Sequence, residues 1–253
     1  MPPGTESGSW SISSHGNNRG AMVTIVAHRG APQRARENTL ESFVAALETG
    51  ADMVELDVRK TADNRLVTFH DPWVSRFTQL PLVRDCTYDE LLEHTAKRKF
   101  TVPTLDRVVA ALAGKTMLDI ELKEPGCEAE VIRLARACFA DDNFIISSFD
   151  RSIIDAVKAI DKGIVTGLIL AEDADPLLDD DTAAEVLAPS FKLFGDRRAF
   201  FGAMKKRGKR IAVWTVDRRS DILSLLIDPV VDAIITNHPD KAVALRNRLR
   251  NQT

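Results

Sequence analysis

The chain has 253 residues, 44% hydrophobic and 28% charged, with a formal net charge of −3. That composition fits one large globular domain or two small ones, and it lacks the concentrated basic charge of a nucleic-acid-binding protein. Cys86, Cys127 and Cys138 are too few and too widely spaced for a disulfide framework or a cysteine metal motif, and no run reaches the ~18 apolar residues of a membrane span.

The first residues show no basic leader followed by an apolar core, so the chain reads as cytoplasmic. Residues 1–21 are rich in Gly, Ser, Asn and Pro and are expected to form a disordered head. Residues 22–253 then form a single domain. Residues 22–27 (MVTIVA) are an apolar strand that ends in His28-Arg29-Gly30. Polar residues and a glycine at the carboxyl end of a buried strand suit a ligand loop. Taken alone, His28 fits a core or capping role as well. Asn38 or Thr39 caps a helix over 40–49, in which Leu40, Phe43, Val44 and Leu47 form one apolar stripe, and Gly50 stops it.

The stretch 52–71 (DMVELDVRKTADNRLVTFHD) concentrates the chemistry. Val54, Leu56 and Val58 alternate with Glu55, Asp57 and Arg59, so Glu55 and Asp57 leave the same face of one strand. Two carboxylates that close are costly in an interior without a cation or a shared proton. A second apolar run, 66–69, follows the turn residues Asp63-Asn64 and ends in His70-Asp71. A hairpin here returns His70 towards Asp57.

Pro72 and Pro81 argue against regular structure, and the segment from 72 to 86 reads as a rim or lid. Trp73 and Phe77 either line a pocket there or anchor the loop. Thr87 caps a helix over 88–96 with Glu90 in the capping-box position. Pro103 and Thr104 open a helix that runs to residue 112. In 116–123 (TMLDIELK), Asp119, Glu121 and Lys123 alternate with Leu118, Ile120 and Leu122, giving a strand with one charged face.

The rest of the chain is rhythmic. Helices are expected at 128–139, 151–160, 199–207, 219–226 and 241–249, and strands at 144–147, 164–170, 186–193, 210–215 and 231–236, with an acidic link at 171–181. Eight parallel strands result once 66–69 is set aside as a hairpin return. The fold expected is an α/β TIM (β/α)8 barrel with a β-hairpin extension and a short insertion after it. A doubly wound sheet is the alternative, but it predicts a glycine-rich phosphate loop after the first strand, and HRGAP is not one.

A barrel places its site at the carboxyl ends of the strands. His28, Glu55, Asp57, Glu121, Lys123, Phe149, Trp214 and Thr236 all fall there. Three carboxylates offer hard oxygen ligands for one divalent cation, Mg²⁺ or Ca²⁺, with Mn²⁺ as a third choice. Two histidines beside such an ion suit proton transfer at oxygen, and Arg29 and Lys123 add anion binding. The composite fits phosphoryl transfer from an ester. Carbohydrate hydrolysis needs only paired carboxylates and leaves the histidines and Arg29 unexplained. Phe149 and Thr236 serve packing or local hydrogen bonding equally well.

The motifs AHRG (27–30), ENT (37–39), ELDV (55–58), TADNRLVTFHD (61–71), PTLD (103–106), IELK (120–123), SSFD (147–150), VWTVD (213–217) and ITNHP (235–239) occur in an order that resembles the glycerophosphodiester phosphodiesterase family. That family is related to the phosphatidylinositol-specific phospholipase C-like barrels. The resemblance implies Glu55, Asp57 and Glu121 as metal ligands and His28 and His70 as an acid–base pair. It implies Arg29 and Lys123 as phosphate-binding groups, Trp214 as a pocket wall, and Glu37 and Asn38 as residues that brace the first loop. It also implies a small-molecule glycerophosphodiester as substrate, cleaved to glycerol 3-phosphate and an alcohol. A lysophospholipase D or sphingomyelinase D-like reaction is the alternative on the same barrel. Asn64 stands where the family usually has glycine, and Arg36 where it usually has proline.

Overall fold

The computed structural model describes residues 22–74, 81–173 and 182–252. The head expected at 1–21, Phe77 and most of the acidic link at 171–181 lie outside the described residues.

The first strand, β1 (Thr24–Ala27), runs into the His28-Arg29-Gly30 turn and then α1 (Leu40–Leu47). Thr39 caps α1, its hydroxyl accepting the Ser42 amide at 3.3 Å. The long strand β2 (Met53–Lys60) turns back through β3 (Leu66–Thr68), which pairs antiparallel with Val58 opposite Thr68. Asn64 takes the left-handed conformation the turn requires, at φ 61°. The Phe69 amide donates to the Asp57 carbonyl at 3.0 Å, so the hairpin returns His70 beside Asp57 as expected.

A 3₁₀ turn (Val83–Asp85) leads to α2 (Tyr88–Ala96), where Thr87 and Glu90 form the expected capping box. α3 (Leu105–Leu112) and β4 (Met117–Leu122) follow. The alternation continues as α4 (Glu128–Arg136), β5 (Phe144–Ser148), α5 (Arg151–Ile160), β6 (Thr166–Leu170) and β7 (Val186–Pro189). It closes with α6 (Phe191–Asp196), α7 (Arg198–Lys206), β8 (Arg210–Val213), α8 (Arg219–Leu226), β9 (Ala233–Thr236) and α9 (Pro239–Arg250).

Among the described residues, β1, β2 and β4–β9 form a closed parallel sheet, because β1 pairs with both β9 and β2. β3 is the single antiparallel addition to it. This is the (β/α)8 barrel with a hairpin extension that the pattern indicated. One expected strand divides. The run 186–193 is strand only to Pro189; Ser190 then caps α6, its hydroxyl accepting the Leu193 amide at 3.2 Å. The last helix begins at Pro239, two residues before the expected start, because proline is tolerated in a first turn.

Side-chain alternation sorts the strands into two cores. Val54, Leu56 and Val58 face outward and pack with Phe43 and Leu105 from the helices. Val26, Met53, Ile145 and Val186 fill the barrel interior. At the amino end of the barrel, Asp52 accepts the Ile25 amide at 2.7 Å and pairs with Arg246 of α9. Arg246 also donates to the Val23 carbonyl at 3.0 Å, so α9 is tied to the starts of β1 and β2.

Candidate active site

The loop after β1 sets the site's geometry. Arg29 and Gly30 both have positive φ, 56° and 88°. A Cβ at Gly30 would lie 2.4 Å from the Ser42 hydroxyl oxygen, so the loop is pressed onto α1 and only glycine fits. That turn aims the Arg29 amide at Glu55 Oε2, 2.7 Å away. It also brings Arg29 Nε to 3.1 Å from Asp57 Oδ2, while Arg29 Nη1 reaches Glu37 Oε2 at 3.2 Å.

Asn38 sits in the left-handed region at φ 57°. Its side-chain amide donates to Asp57 Oδ2 at 2.6 Å, and its Oδ1 accepts the Asp57 backbone amide at 3.2 Å. Its backbone carbonyl accepts the Thr68 hydroxyl at 2.9 Å. Asn38 thus fixes Asp57 from two sides, whereas Glu37 steadies the Arg29 guanidinium.

Strand register supplies the acids. β2 and β4 run side by side with Glu55 opposite Asp119 and Asp57 opposite Glu121. Carboxylate oxygens of Glu55, Asp57 and Glu121 lie within 4.8 Å of one another, and all three residues are buried. At an effective dielectric of ~20, each such pair of charges repels by on the order of 3 kcal/mol. Lys123 Nζ answers part of this, 2.8 Å from Asp57 Oδ1 and bonded to Glu121.

The balance is uneven. Burial alone would raise the Asp57 carboxyl, but Lys123 and Arg29 hold it well below the usual range. Glu55 is pushed well up by burial and by Asp57 and Glu121, and Glu121 to about 7, chiefly by burial. Asp119 is raised to about 6 by burial although the Ser147 hydroxyl donates to it at 2.6 Å. Glu55 Oε1 is buried and accepts no hydrogen bond. A buried, unsatisfied carboxylate oxygen beside two more carboxylates is the donor set of a hard divalent cation, and the residues fit one.

The two imidazoles stand in different electrical settings. His28 Nδ1 is 2.8 Å from Asn237 Oδ1, and the Asn237 side-chain amide donates to Asp217 at 2.8 Å. Because a carboxylate only accepts, the Asn237 oxygen must face His28, which puts the proton on Nδ1 and leaves Nε2 as an acceptor. His28 Nε2 lies 4.0 Å from Glu55 Oε2. Burial, then Arg29, lowers His28 to about 4. His70 Nδ1 instead meets a carboxylate, Asp71 Oδ1, at 2.8 Å. Burial lowers His70 as well, with Asp57 and Asp71 opposing it. Its carbonyl is clamped by Arg59 Nε and Nη2 at 2.9 and 2.8 Å, and Arg59 is paired with Glu124 at 3.0 Å.

His28, Arg29, Glu55, His70, Glu121, Lys123 and Trp214 line one pocket of about 310 Å³. Phe149 and Trp214 pack edge to face in its wall at 5.5 Å, and Lys123 Nζ lies 5.7 Å from the Phe149 ring centre. Thr236 is fully buried, its hydroxyl donating to Asp217 at 3.1 Å. Trp73 is 48% exposed and does not line this pocket. Sequence reasoning missed Asn237, Asp217 and Arg59. Arg59 was legible as the next residue on the Glu55–Asp57 face. Asn237 and Asp217 lie in loops and carry no such periodic signal.

Fold and site together define a metal-assisted phosphodiesterase built on a (β/α)8 barrel. Residues 28–241 match the glycerophosphoryl diester phosphodiesterase family, and the chain belongs to it; it is an enzyme, a phosphoric diester hydrolase. It is 33% identical over 239 residues to a glycerophosphodiester phosphodiesterase of Caldanaerobacter subterraneus subsp. tengcongensis, covering 87% of this chain and 96% of that one. The crystal structure of a glycerophosphodiester phosphodiesterase from Thermotoga maritima superposes with a TM-score of 0.76 at 28% identity, covering 88% of this chain and 98% of that one. An Oleispira antarctica phosphodiesterase in complex with the product sn-glycerol-3-phosphate shares the fold, with a TM-score of 0.76 at 24% identity over 89% of this chain and 97% of that one. No helix among the described residues is long and apolar enough to cross a membrane.

Proposed function

We propose that the protein hydrolyses glycerophosphodiesters to glycerol 3-phosphate and a free alcohol. The observation that carries this reading is the cluster of three buried carboxylates, Glu55, Asp57 and Glu121, of which Glu55 and Glu121 line one pocket together with two imidazoles and two cationic side chains while Asp57 lies behind them. The product held by the Oleispira enzyme supports the glycerol 3-phosphate half of it. Mg²⁺ or Ca²⁺, with Mn²⁺ as a third choice, would be held by Glu55, Asp57 and Glu121 and would supply Lewis-acid polarisation of the phosphoryl oxygens.

The chain's own residues do the rest. Arg29 and Lys123 bind the phosphodiester oxygens and stabilise the negative charge that builds as the pentavalent centre forms. His28 Nε2, an acceptor in its tautomer, takes the proton from the neighbouring glycerol hydroxyl. That oxygen bonds to phosphorus while the bond from phosphorus to the alcohol oxygen breaks. His70, whose Asp71 partner favours the imidazolium, gives its proton to the departing alcohol. A cyclic phosphate remains. The roles then reverse: neutral His70 takes a proton from water, the hydroxide opens the ring, and His28 returns its proton to the glycerol oxygen. Trp214 and Phe149 form the apolar wall beside the bound glycerol arm.

The test is release of glycerol 3-phosphate from glycerophosphodiesters with added Mg²⁺ or Ca²⁺ and with chelator. His28→Ala and His70→Ala are each expected to lower kcat by about 10²–10⁴-fold with the fold intact by circular dichroism. Unchanged turnover in either variant removes that histidine from the mechanism. Turnover that survives chelation removes the cation.

A further inference from the structure

Two polar residues of the catalytic pocket have no part in the chemistry proposed so far: Asp119 and Ser147. Asp119 stands opposite Glu55 on the neighbouring strand, and Glu55 in turn lies 4.0 Å from His28 Nε2. Asp119 is not one of the three acids whose oxygens converge. The Ser147 hydroxyl donates to Asp119 Oδ1 at 2.6 Å. Oδ2 accepts no hydrogen bond among the described residues, yet it is not sealed off as Glu55 Oε1 is. Asp119 is 9% exposed, and it lines the pocket. A buried carboxylate oxygen open to a cavity is an acceptor that lacks a donor. The barrel keeps room beside it. Gly167 of β6 is paired with Ser147, and a Cβ there would come within 3.2 Å of the Ser147 Cβ. A side chain at 167 would thus press on the serine that holds Asp119. Beyond them the pocket wall is apolar, formed by Ile169, Ala188 and Ile235.

We propose that Asp119, steadied by Ser147, accepts the terminal hydroxyl of the substrate's glycerol arm and makes the enzyme selective for arms that carry it. This rests on the phosphodiesterase reading above. The glycerol hydroxyl next to the ester gives its proton to His28 Nε2, and His28, Glu55 and Asp119 form a row across three adjoining strands. Strands in a sheet lie ~4.8 Å apart, about the length of a glycerol unit. The remaining hydroxyl, one carbon further on, therefore falls to the next place in the row. The other polar side chains of the pocket are engaged: two imidazoles with protons, Arg29 and Lys123 with the phosphate, Glu55 and Glu121 with the cation. An alcohol hydroxyl supplies the missing donor without adding charge. An arm that lacks it leaves a buried carboxylate oxygen unpaired, the case in which a site rejects an analogue most strongly. An arm whose terminal oxygen carries an acyl ester has no proton to give and fails in the same way.

The experiment compares glycerophosphocholine with propane-1,2-diol phosphocholine, which lacks only the terminal hydroxyl, at saturating Mg²⁺ or Ca²⁺. In the wild type, kcat/KM is expected to be about 10–100-fold higher for glycerophosphocholine. Asp119→Leu should bring the two diesters within about threefold of each other, mainly by raising KM for glycerophosphocholine, with the cation dependence unchanged. Asp119→Asn, whose amide oxygen still accepts, should retain part of the preference. Ser147→Ala should narrow it, because Asp119 loses its anchor. Equal kcat/KM for both diesters in the wild type overturns the proposal. So does loss by the same factor on both in Asp119→Leu, which together with a raised cation requirement would make Asp119 a support of the metal-binding acids instead. If Asp119→Leu fails to fold by circular dichroism, Ser147→Ala decides: a narrower preference supports the proposal, and an unchanged one overturns it. If neither diester is hydrolysed by the wild type, the phosphodiesterase reading falls. Asp119 is then judged by calorimetric titration of glycerol 3-phosphate and propane-1,2-diol 1-phosphate. Tighter binding of glycerol 3-phosphate that Asp119→Leu abolishes supports the assignment, and equal or absent binding overturns it.

Discussion

The two sides of the barrel interior are built from the same alternation and have opposite contents. On β2 and β4, the inward positions near the mouth are Glu55, Asp57, Asp119 and Glu121. On β7, β8 and β9 the inward positions, from the floor upward, are Val186, Ala188, Ala212, Ala233 and Ile235, which belong to the apolar core of the interior. One side is held together by burial and is at rest. The other gathers like charges that burial makes worse, and it depends on Lys123, Arg29 and a cation for balance. The difference teaches that stability and chemistry are divided by strand at the mouth and by depth along β2 and β4, whose inward positions pass from Met53 and Met117 at the floor to the acids above them.

Glu55→Gln breaks that contrast most sharply. Loss of a proposed metal ligand is expected to lower divalent-dependent glycerol 3-phosphate release by about 10³-fold or more, several kcal/mol of transition-state stabilisation. The same change removes a charge from a repelling cluster, so in chelator the variant should melt higher than the wild type. A lower Tm in chelator would mean that Glu55 is structural. The pH dependence follows from Glu121, whose carboxyl is raised from 4.5 to about 7 by burial and then by Asp57, against the pull of Lys123. A carboxyl raised on folding contributes stability that is full below its unfolded pKa and is lost as pH rises through its folded value. The metal-free wild type should thus lose Tm between pH 4.5 and about 7, and added Mg²⁺ or Ca²⁺ should restore more Tm at pH 8 than at pH 5.

Asn38→Ala probes the charged side more gently. It removes the side-chain bonds of 2.6 and 3.2 Å that orient Asp57. Metal affinity should weaken by about 10–100-fold, measured by titrating activity with the cation, while saturating cation restores most of kcat. An unchanged cation dependence would show that Arg29 and Lys123 suffice to orient Asp57.

Val186→Ala tests the quiet side. It is expected to lower unfolding free energy by about 1–3 kcal/mol in urea melts and to leave kcat/KM within about twofold. A large loss of activity without loss of stability would show that the apolar wall also positions substrate.

Much of this was legible in the chain because both periodicities are strong. The inward carboxylates of 52–71 and 116–123 announce a charged face by simple alternation, and the starts of β2, β4, β5, β7 and β8 fall where the apolar runs begin. The histidine at the end of the hairpin return was legible for the same reason. Elements governed by one residue were not. Pro189 ends a strand whose apolar run continues through Phe191 and Leu193, and only the Ser190 cap reveals the helix. The support of His28 was hidden because Asn237 and Asp217 act through side-chain hydrogen bonds between loops, which leave no pattern in hydrophobicity. Asp119 was visible on the same charged face as Glu121, but alternation alone does not separate the two; the position nearer the strand's carboxyl end and the IELK motif do.

The bond between His28 and Asn237 spans 209 positions of the chain, from the end of the first strand to the end of the last. A ribosome adding about 5–20 residues per second places Asn237 roughly 10–40 s after His28. Until then the first imidazole lacks the Asn237 oxygen that chooses its tautomer. The hydrogen bond that sets the His28 tautomer is thus a contact that only the completed barrel can make, since β9 closes the sheet against β1.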